Sequence, residues 1–259
     1  MIWTGLIALV VAVACGWLAR HSNNRAQVME RTETLPVAEL RALHSAAAQA
    51  AGDGVFRYRC EIVGRALPHK DGALRSQLGG LECVWHQHKI TRRYEETYRD
   101  GRGSRKRRTS NEVVSRHTSS TAFFVEDATG KMVIHPGEHP VTGAEKTVDR
   151  FDPHTSSGGN RLQIGPIGLD LGGGDGTIGY RHEEWIVRPG SRFYVNGEAG
   201  DGNGRLAIGA PAEGGVFVMS PKSEEELLRG ENRNVMLFGS GAGVLALTGI
   251  VLLVLGIIR

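Results

Sequence analysis

Hydrophobic and polar positions change rhythm three times along this chain. The first run, Ile2 to Ala19, carries no charge and sets Trp3 and Trp17 near its two edges. At about 1.5 Å per residue it covers roughly 27 Å, close to a hydrocarbon core of ~30 Å, and the tryptophan placement fits an interfacial belt. A cleaved leader would carry Lys or Arg before its apolar stretch. Nothing charged stands before Ile2 except the amino terminus, so residues 1–19 are expected to form an uncleaved transmembrane helix. Cys15 in VAVACG has the look of a lipoprotein cleavage site, but the apolar run continues past it. A second uncharged run of twenty-four residues, Val235 to Ile258, is long enough to span with some tilt. Within it Gly239 and Gly243 stand four apart, the spacing that lets membrane helices approach closely and offers a route to a homo-oligomer.

Between the two runs the rhythm shortens. Residues 20–35 are polar and read as a linker. Pro36 to Ala50 (PVAELRALHSAAAQA) reads as a helix: proline suits its first turn, Val37, Leu40, Leu43 and Ala47 share one face, and Gly52 and Gly54 end it. From Val55 onward come short β-like runs separated by Gly, Pro and Asp. These are Val55–Arg65, Leu81–Tyr94, Asn111–His117, Ala122–Glu126, Lys131–His135, Glu184–Val187, Arg192–Asn196, Arg205–Ile208 and Val216–Met219. EDATGKM joins two of them through a tight turn marked by Asp127 and Gly130. RPGSR, with Pro189 and Gly190, is expected to close a hairpin between EEWIV and FYVNG.

The pattern predicts a mainly β fold, an antiparallel sandwich or small barrel with a few short helices, flanked by two transmembrane helices. Its β domain is expected to cover 36–229. Within it the glycine-rich segment 151–179 lacks periodicity and reads as a long loop. Ser223 with Glu226 three residues on forms a capping box, which starts a short helix leading into the second span.

The formal net charge is only +3 over 259 residues, so charge matters here where it is local. Arg20, Arg25, Arg31, Lys222, Arg229 and Arg233 flank the two spans on their inner sides, against only the amino terminus and Arg259 outside. The positive-inside rule then puts the β domain in the cytoplasm and both termini outside. RDGRGSRKRRTS is the strongest local signal, with Arg99, Arg102, Arg105, Lys106, Arg107 and Arg108 in one expected loop. Such a loop fits an anionic lipid surface or another polyanion. No aromatics interleave with these charges to stack bases, which argues against nucleic acid. Cysteine usage excludes a disulfide framework: of three cysteines Cys15 lies in the first span, and Cys60 and Cys83 are left as buried thiols or a single bridge.

Candidate chemistry is sparse. Glu183 and Glu184 in GYRHEEWIVRPGSRFYVNGEA are adjacent, so on a strand they point to opposite faces and cannot work as an acid–base pair on one substrate. Trp185, Val187, Phe193 and Val195 read as packing around the Pro189–Gly190 turn. His86 and His88 share a strand face at an acceptable metal-ligand spacing, but a third ligand among His135, His154 and His182 cannot be placed. LDLGGGDGT lacks the Lys-Ser/Thr of a phosphate loop and the repetition of a calcium-binding repeat. No G-x-S-x-G elbow occurs. No catalytic residue, metal ligand or cofactor is expected.

Taken together, FFVEDATGKMVIHP (Phe123–Pro136), GYRHEEWIVRPGSRFYVNGEA with Tyr194 and Gly197, MSPKSEEELLRG before a membrane helix, and LECVWHQHKI with Cys83 resemble the GIDE, or beside-a-membrane, domain. That is the membrane region of Mulan-type E3 ubiquitin ligases, which also occurs in bacterial proteins. The resemblance runs from about Pro36 onward. It implies a two-pass membrane protein, here expected in a bacterial inner membrane, although in mitochondrial members the domain lies on the non-cytoplasmic side. The family's ubiquitin-transfer label rests on a RING finger, whose two zinc ions need eight Cys and His ligands in CxxC-like pairs. The sequence contains no CxxC and stops one residue past the second apolar run. The expectation is therefore a membrane-anchored, non-catalytic binding or scaffold module that contacts membrane lipids and another protein. One alternative is an E3 ligase family member whose zinc module is supplied in trans, which a neighbouring RING-encoding frame would favour. Another is an unrecognised membrane-bound hydrolase or metal enzyme, which bound zinc would favour.

Overall fold

The computed structural model describes residues 2–101, 103–154, 161–164, 167–170, 176–202 and 204–258. Three helices, α1 (Ile2–Arg31), α2 (Val37–Ala51) and α3 (Glu224–Ile258), accompany fourteen strands among those residues. The first seven strands are β1 (Arg57–Leu67), β2 (Leu74–Arg75), β3 (Glu82–Cys83), β4 (Trp85–Arg99), β5 (Arg105–Thr118), β6 (Phe123–Glu126) and β7 (Lys131–Ile134). The remainder are β8 (Glu145–Pro153), β9 (Arg161–Ile164), β10 (Ile167–Asp170), β11 (Thr177–Val187), β12 (Arg192–Gly200), β13 (Ala207–Gly209) and β14 (Val218–Ser220). The fold is mainly β with two long terminal helices, as the pattern predicts.

Five strands close into a barrel. β1 pairs antiparallel with β6, β6 with β7, β13 with β12 and β12 back to β1, while β7 and β13 run parallel. Closure leaves no free edge in the ring, which is how a small barrel avoids edge-to-edge association. β14 pairs with Tyr194–Asn196 of β12, ahead of the stretch that β13 takes, and puts Met219 into the core. The barrel is filled by Ile62, Phe123, Val125, Ile134, Phe193, Val195 and Ile208, each at most 1% exposed, with Phe123 edge-on to Phe193 at 5.4 Å. Helix α2 lays Val37 and Leu40 onto this core, both fully buried. Its first turn is held by the β6–β7 turn: Val37 N–H donates to Asp127 Oδ2 at 2.8 Å and Ala38 N–H to Thr129 Oγ1 at 3.0 Å. Asp127 thus closes its own turn through Thr129 and Gly130 N–H and also caps a helix ninety residues earlier. Gly130 lies against Val37, whose Cγ1 would be 3.3 Å from an added Cβ.

A second layer is the four-stranded antiparallel sheet β5–β4–β11–β8. Its base joins the barrel core through Val84, Trp85 and Val187, and Val84 N–H donates to Val187 O at 2.9 Å.

Several expectations fail here for physical reasons. The expected RPGSR hairpin does not form: β11 pairs with β4 and β8, whereas β12 pairs with β1, β13 and β14. The Pro189–Gly190 turn instead carries the chain from one sheet into the other. Gly190, at φ +80°, donates its N–H to Ala66 O at 2.7 Å. The segment 20–35 is not a linker throughout, because α1 continues to Arg31. Beyond the apolar run it stays against α3 and the barrel, burying Met29 (1% exposed) with Tyr194, Val218 and Leu227 and pairing Arg25 Nε with Glu231 Oε1 at 3.3 Å. The segment 151–179 is not one loop: it holds the end of β8, the β9–β10 hairpin and the start of β11, and its remainder lies outside the described residues. The short helix at Ser223 is continuous with the second span as α3. Its capping box forms as expected, with Ser223 N–H on Glu226 Oε2 at 3.2 Å and Glu226 N–H on Ser223 Oγ at 3.3 Å. Cys60 and Cys83 are free, not bridged. Both are buried, and burial pushes their thiols up to about 11 and about 12.

Candidate functional site

The helices define the first functional region. α1 and α3 each contain an apolar window of mean hydropathy 2.2, of which only 11% and 6% is buried within the protein. Core helices of a soluble protein bury such windows; these are long and apolar enough to cross a membrane and expose their apolar side chains. They cross at Gly5 and Gly249. A Cβ on Gly5 would sit 2.9 Å from Gly249 O, and one on Gly249 would sit 3.0 Å from Gly5 O, so only glycine permits this approach. Gly239 and Gly243, the pair singled out by spacing, meet nothing within 4 Å and take no part in it.

Where the helix pair meets the barrel, a buried polar network lies beside the apolar packing of Met29, Val218 and Leu227. The Glu61 carboxylate, 1% exposed, accepts from Tyr194 Oη at 2.5 Å, from Asn196 Nδ2 at 3.5 Å and from Thr34 Oγ1. Burial and the adjacent carboxylate raise the Tyr194 phenol far above its ordinary range, so it stays a donor. Gly197 is needed on the same strand, because a Cβ there would come within 2.7 Å of Gly209 O.

The four-stranded sheet has two faces of opposite character. Its inner face carries His86, His88, His182 and Glu184, at most 5% exposed. Glu184 accepts from Leu78 N–H at 2.7 Å and Gly79 N–H at 2.8 Å, clamping the loop that covers this face. Glu183 points to the other face, where Lys89 and Lys146 each reach it at 2.8 Å. The two glutamates are indeed on opposite faces. His117 of β5, opposite His88, brings its ring to 5.6 Å from His86 and 5.9 Å from His88. It is the histidine that sequence spacing missed, because only strand register reveals it. Among the proposed third ligands, His182 lies farther along β11 against Asp152 at 3.1 Å. No group of three or more His, Cys, Asp or Glu able to hold a metal ion is found among the described residues.

Burial lowers the pKa of His86, His88 and His182, with His117 adding repulsion at the first two. Folded imidazoles therefore stay neutral while unfolded ones take up protons near pH 6.5. Stability is present above that pH and falls as pH drops through 6.5 toward the depressed folded values. Thermal unfolding in detergent should show a lower midpoint at pH 5.5 than at pH 7.5; equal midpoints would contradict the buried, neutral state. Asp149, held down to about 2 by Arg181 and Lys146, releases its contribution only at much lower pH.

The outer face of this sheet is open. A concavity of 810 Å³ is lined by Lys89, Arg93, Asn111, Phe151, Arg181 and Glu183 with their neighbours. Trp185 is half-buried on this face, with the ammonium groups of Lys146 and Lys89 at 5.3 and 5.9 Å from its ring. Beyond the end of β11, β4 and β5 continue alone as a two-stranded ribbon up to Arg99 and Arg105. The expected basic loop is therefore mostly strand. Lys106 pairs with Asp100 at 3.1 Å, Arg107 with Glu95 at 3.8 Å, and Arg108 with Glu96 and the Tyr98 ring. Arg105 is exposed, and Arg102 lies outside the described residues. Sequence counting missed the acids Glu95, Glu96 and Asp100, which offset half of the cluster.

A closed barrel with an accessory sheet, carried on two helices long and apolar enough to cross a membrane, defines a mainly β protein with two candidate membrane spans. A family model described as "GIDE: E3 Ubiquitin ligase" matches residues 93–256, from the base of the ribbon to the end of α3, and the chain belongs to that family. Comparison with curated proteins and with solved structures gave no match.

Proposed function

We propose that this protein is a membrane-anchored binding module of the GIDE family, which holds a partner beside the bilayer and performs no transfer chemistry within the described fold. The observation that carries this reading is the engagement of its chemical groups. Glu184 is spent on Leu78 and Gly79, Glu61 on Tyr194 and Thr34, and Glu183 on two lysines. Ser115 Oγ does lie 3.0 Å from His88 Nε2, but that imidazole is only 2% exposed, on the covered face of the sheet, where no substrate reaches it. No metal-ligand group of three is assembled among the described residues. The family description names a ubiquitin ligase, and a zinc module acting in trans accommodates that label.

Incubation of the purified protein with ubiquitin-activating and ubiquitin-conjugating enzymes tests this. We expect no ubiquitin conjugates above the level without the protein, and no stoichiometric zinc by elemental analysis. Conjugates together with about two equivalents of zinc would overturn the reading.

A further inference from the structure

Strand register sorts the charges of β4 and β5 in a way that their order along the chain hides. Residues that pair across these strands share a face, with one bulge near Val114. On the outer face this alternation collects Lys89, Arg93 and Arg99 from β4 with Arg105, Arg107 and Arg116 from β5, against the single acid Glu95. On the opposite face Arg92, Lys106 and Arg108 meet Glu96 and Glu112, and all three form ion pairs, Lys106 with Asp100 of the turn. One face is thus strongly basic and the other nearly balanced.

Three further features point outward. Arg99 and Arg105 are directly opposed across the ribbon, an arrangement of like charges that destabilises the pair unless an anion lies on it. Arg93, Arg99 and Arg105 form no ion pair among the described residues, whereas most other cations of the sheet do. Finally, the row Val113–Thr91–Arg181–Phe151 crosses the middle of this face, and its two end residues are 49% and 42% exposed, large apolar side chains left in water.

We propose that this face is the partner-binding surface, and that it takes an acidic protein segment bearing apolar side chains. The inference deepens the binding-module reading and rests on it. A planar anionic leaflet fits less well. The face is concave, so a flat surface would bridge over Arg93 and Arg181 instead of meeting them. Its floor also holds Asp149 and Glu183, already tied to Arg181 and Lys146, so the positive charge is patterned along the face rather than spread evenly as a leaflet would need. Phe151 and Val113 offer apolar contacts that side chains of a peptide can fill, and arginine with aromatic anchors is the composition that concentrates binding energy.

The test uses the full chain in zwitterionic nanodiscs and a fluorescein-labelled twelve-residue peptide of alternating Glu and Leu, read by anisotropy. We expect saturable binding that weakens as salt rises. Removing two charges from the outer face (Arg93→Ala with Arg107→Ala) should weaken it by roughly tenfold or more, and Phe151→Ser should weaken it separately. Removing two charges from the opposite face (Lys106→Ala with Arg108→Ala) should leave the affinity within about twofold. Equal losses from both faces would show bulk charge attraction and overturn the proposal. So would absence of peptide binding, or loss-free Phe151→Ser, or preferential binding of anionic vesicles abolished by the same outer-face change. The ubiquitin assay is independent of these readings, so failure here leaves the binding-module reading standing or falling on its own result.

Discussion

Gly64→Ala is expected to unfold the barrel locally and to lower the stability of the whole protein by about 3 kcal/mol or more. The cause is space. A Cβ on Gly64 would lie 2.3 Å from Glu126 O, 2.7 Å from its carbonyl carbon and 2.9 Å from Val125 Cγ1. Two of these three neighbours are backbone and cannot swing away. Gly64 sits where β1 leaves β12 and meets β6, next to the Arg65–Glu126 pair, so relief requires prising open one of the five seams of the ring. Overpacking inside an ordered core costs about 1–3 kcal/mol when side chains can yield, and more when they cannot. A drop in the unfolding midpoint of roughly 5–10 °C, measured by circular dichroism in detergent, follows from that magnitude. A midpoint unchanged within 1–2 °C, itself roughly the shift from half a kcal/mol, would mean that β1 and β6 are not in this register.

The second large effect is expected from Glu184→Ala. Its carboxylate is fully buried and receives two backbone N–H groups at 2.7 and 2.8 Å. Hydrogen bonds to a charged acceptor contribute about 1.5–3 kcal/mol each. Gly79 is exposed and can turn to water, so the combined loss is set at about 2–4 kcal/mol. The loop from Ser76 to Leu81 should then detach from the sheet, and amide hydrogen exchange should accelerate at Leu78, Gly80 and Ile90 before it does in the barrel. Glu184→Gln keeps one acceptor and should fall between. Uniform acceleration across both sheets would assign the glutamate a global role and not the local clamp described.

Much of this architecture was legible along the chain. Absence of charge over Ile2–Ala19 and Val235–Ile258 marks both long helices, because hydropathy is a property of local sequence. Alternation marks most strands, and adjacency alone separates Glu183 from Glu184. Pairing partners were not legible. β11 and β12 have the apolar–turn–apolar pattern of a hairpin, and nothing local distinguishes that from a crossing between sheets. β8 was missed because EKTVDRFDP is an edge strand whose charged side chains break the apolar alternation. The polar end of α1 looked like a linker because its helix is stabilised by contacts with α3 and the barrel and not by its own composition. The basic face is the clearest case: the sequence shows a cluster, and only register shows which of its members stand together.

α1 and α3 are expected to cross the bilayer together and to hold the β domain beside it. Alkaline carbonate extraction of membranes from cells producing the full chain tests this most directly. The bulk of the protein is expected to stay in the pellet, after high salt as after carbonate, and to enter the supernatant only with detergent. Recovery of most of the protein in the soluble fraction after carbonate alone would contradict it.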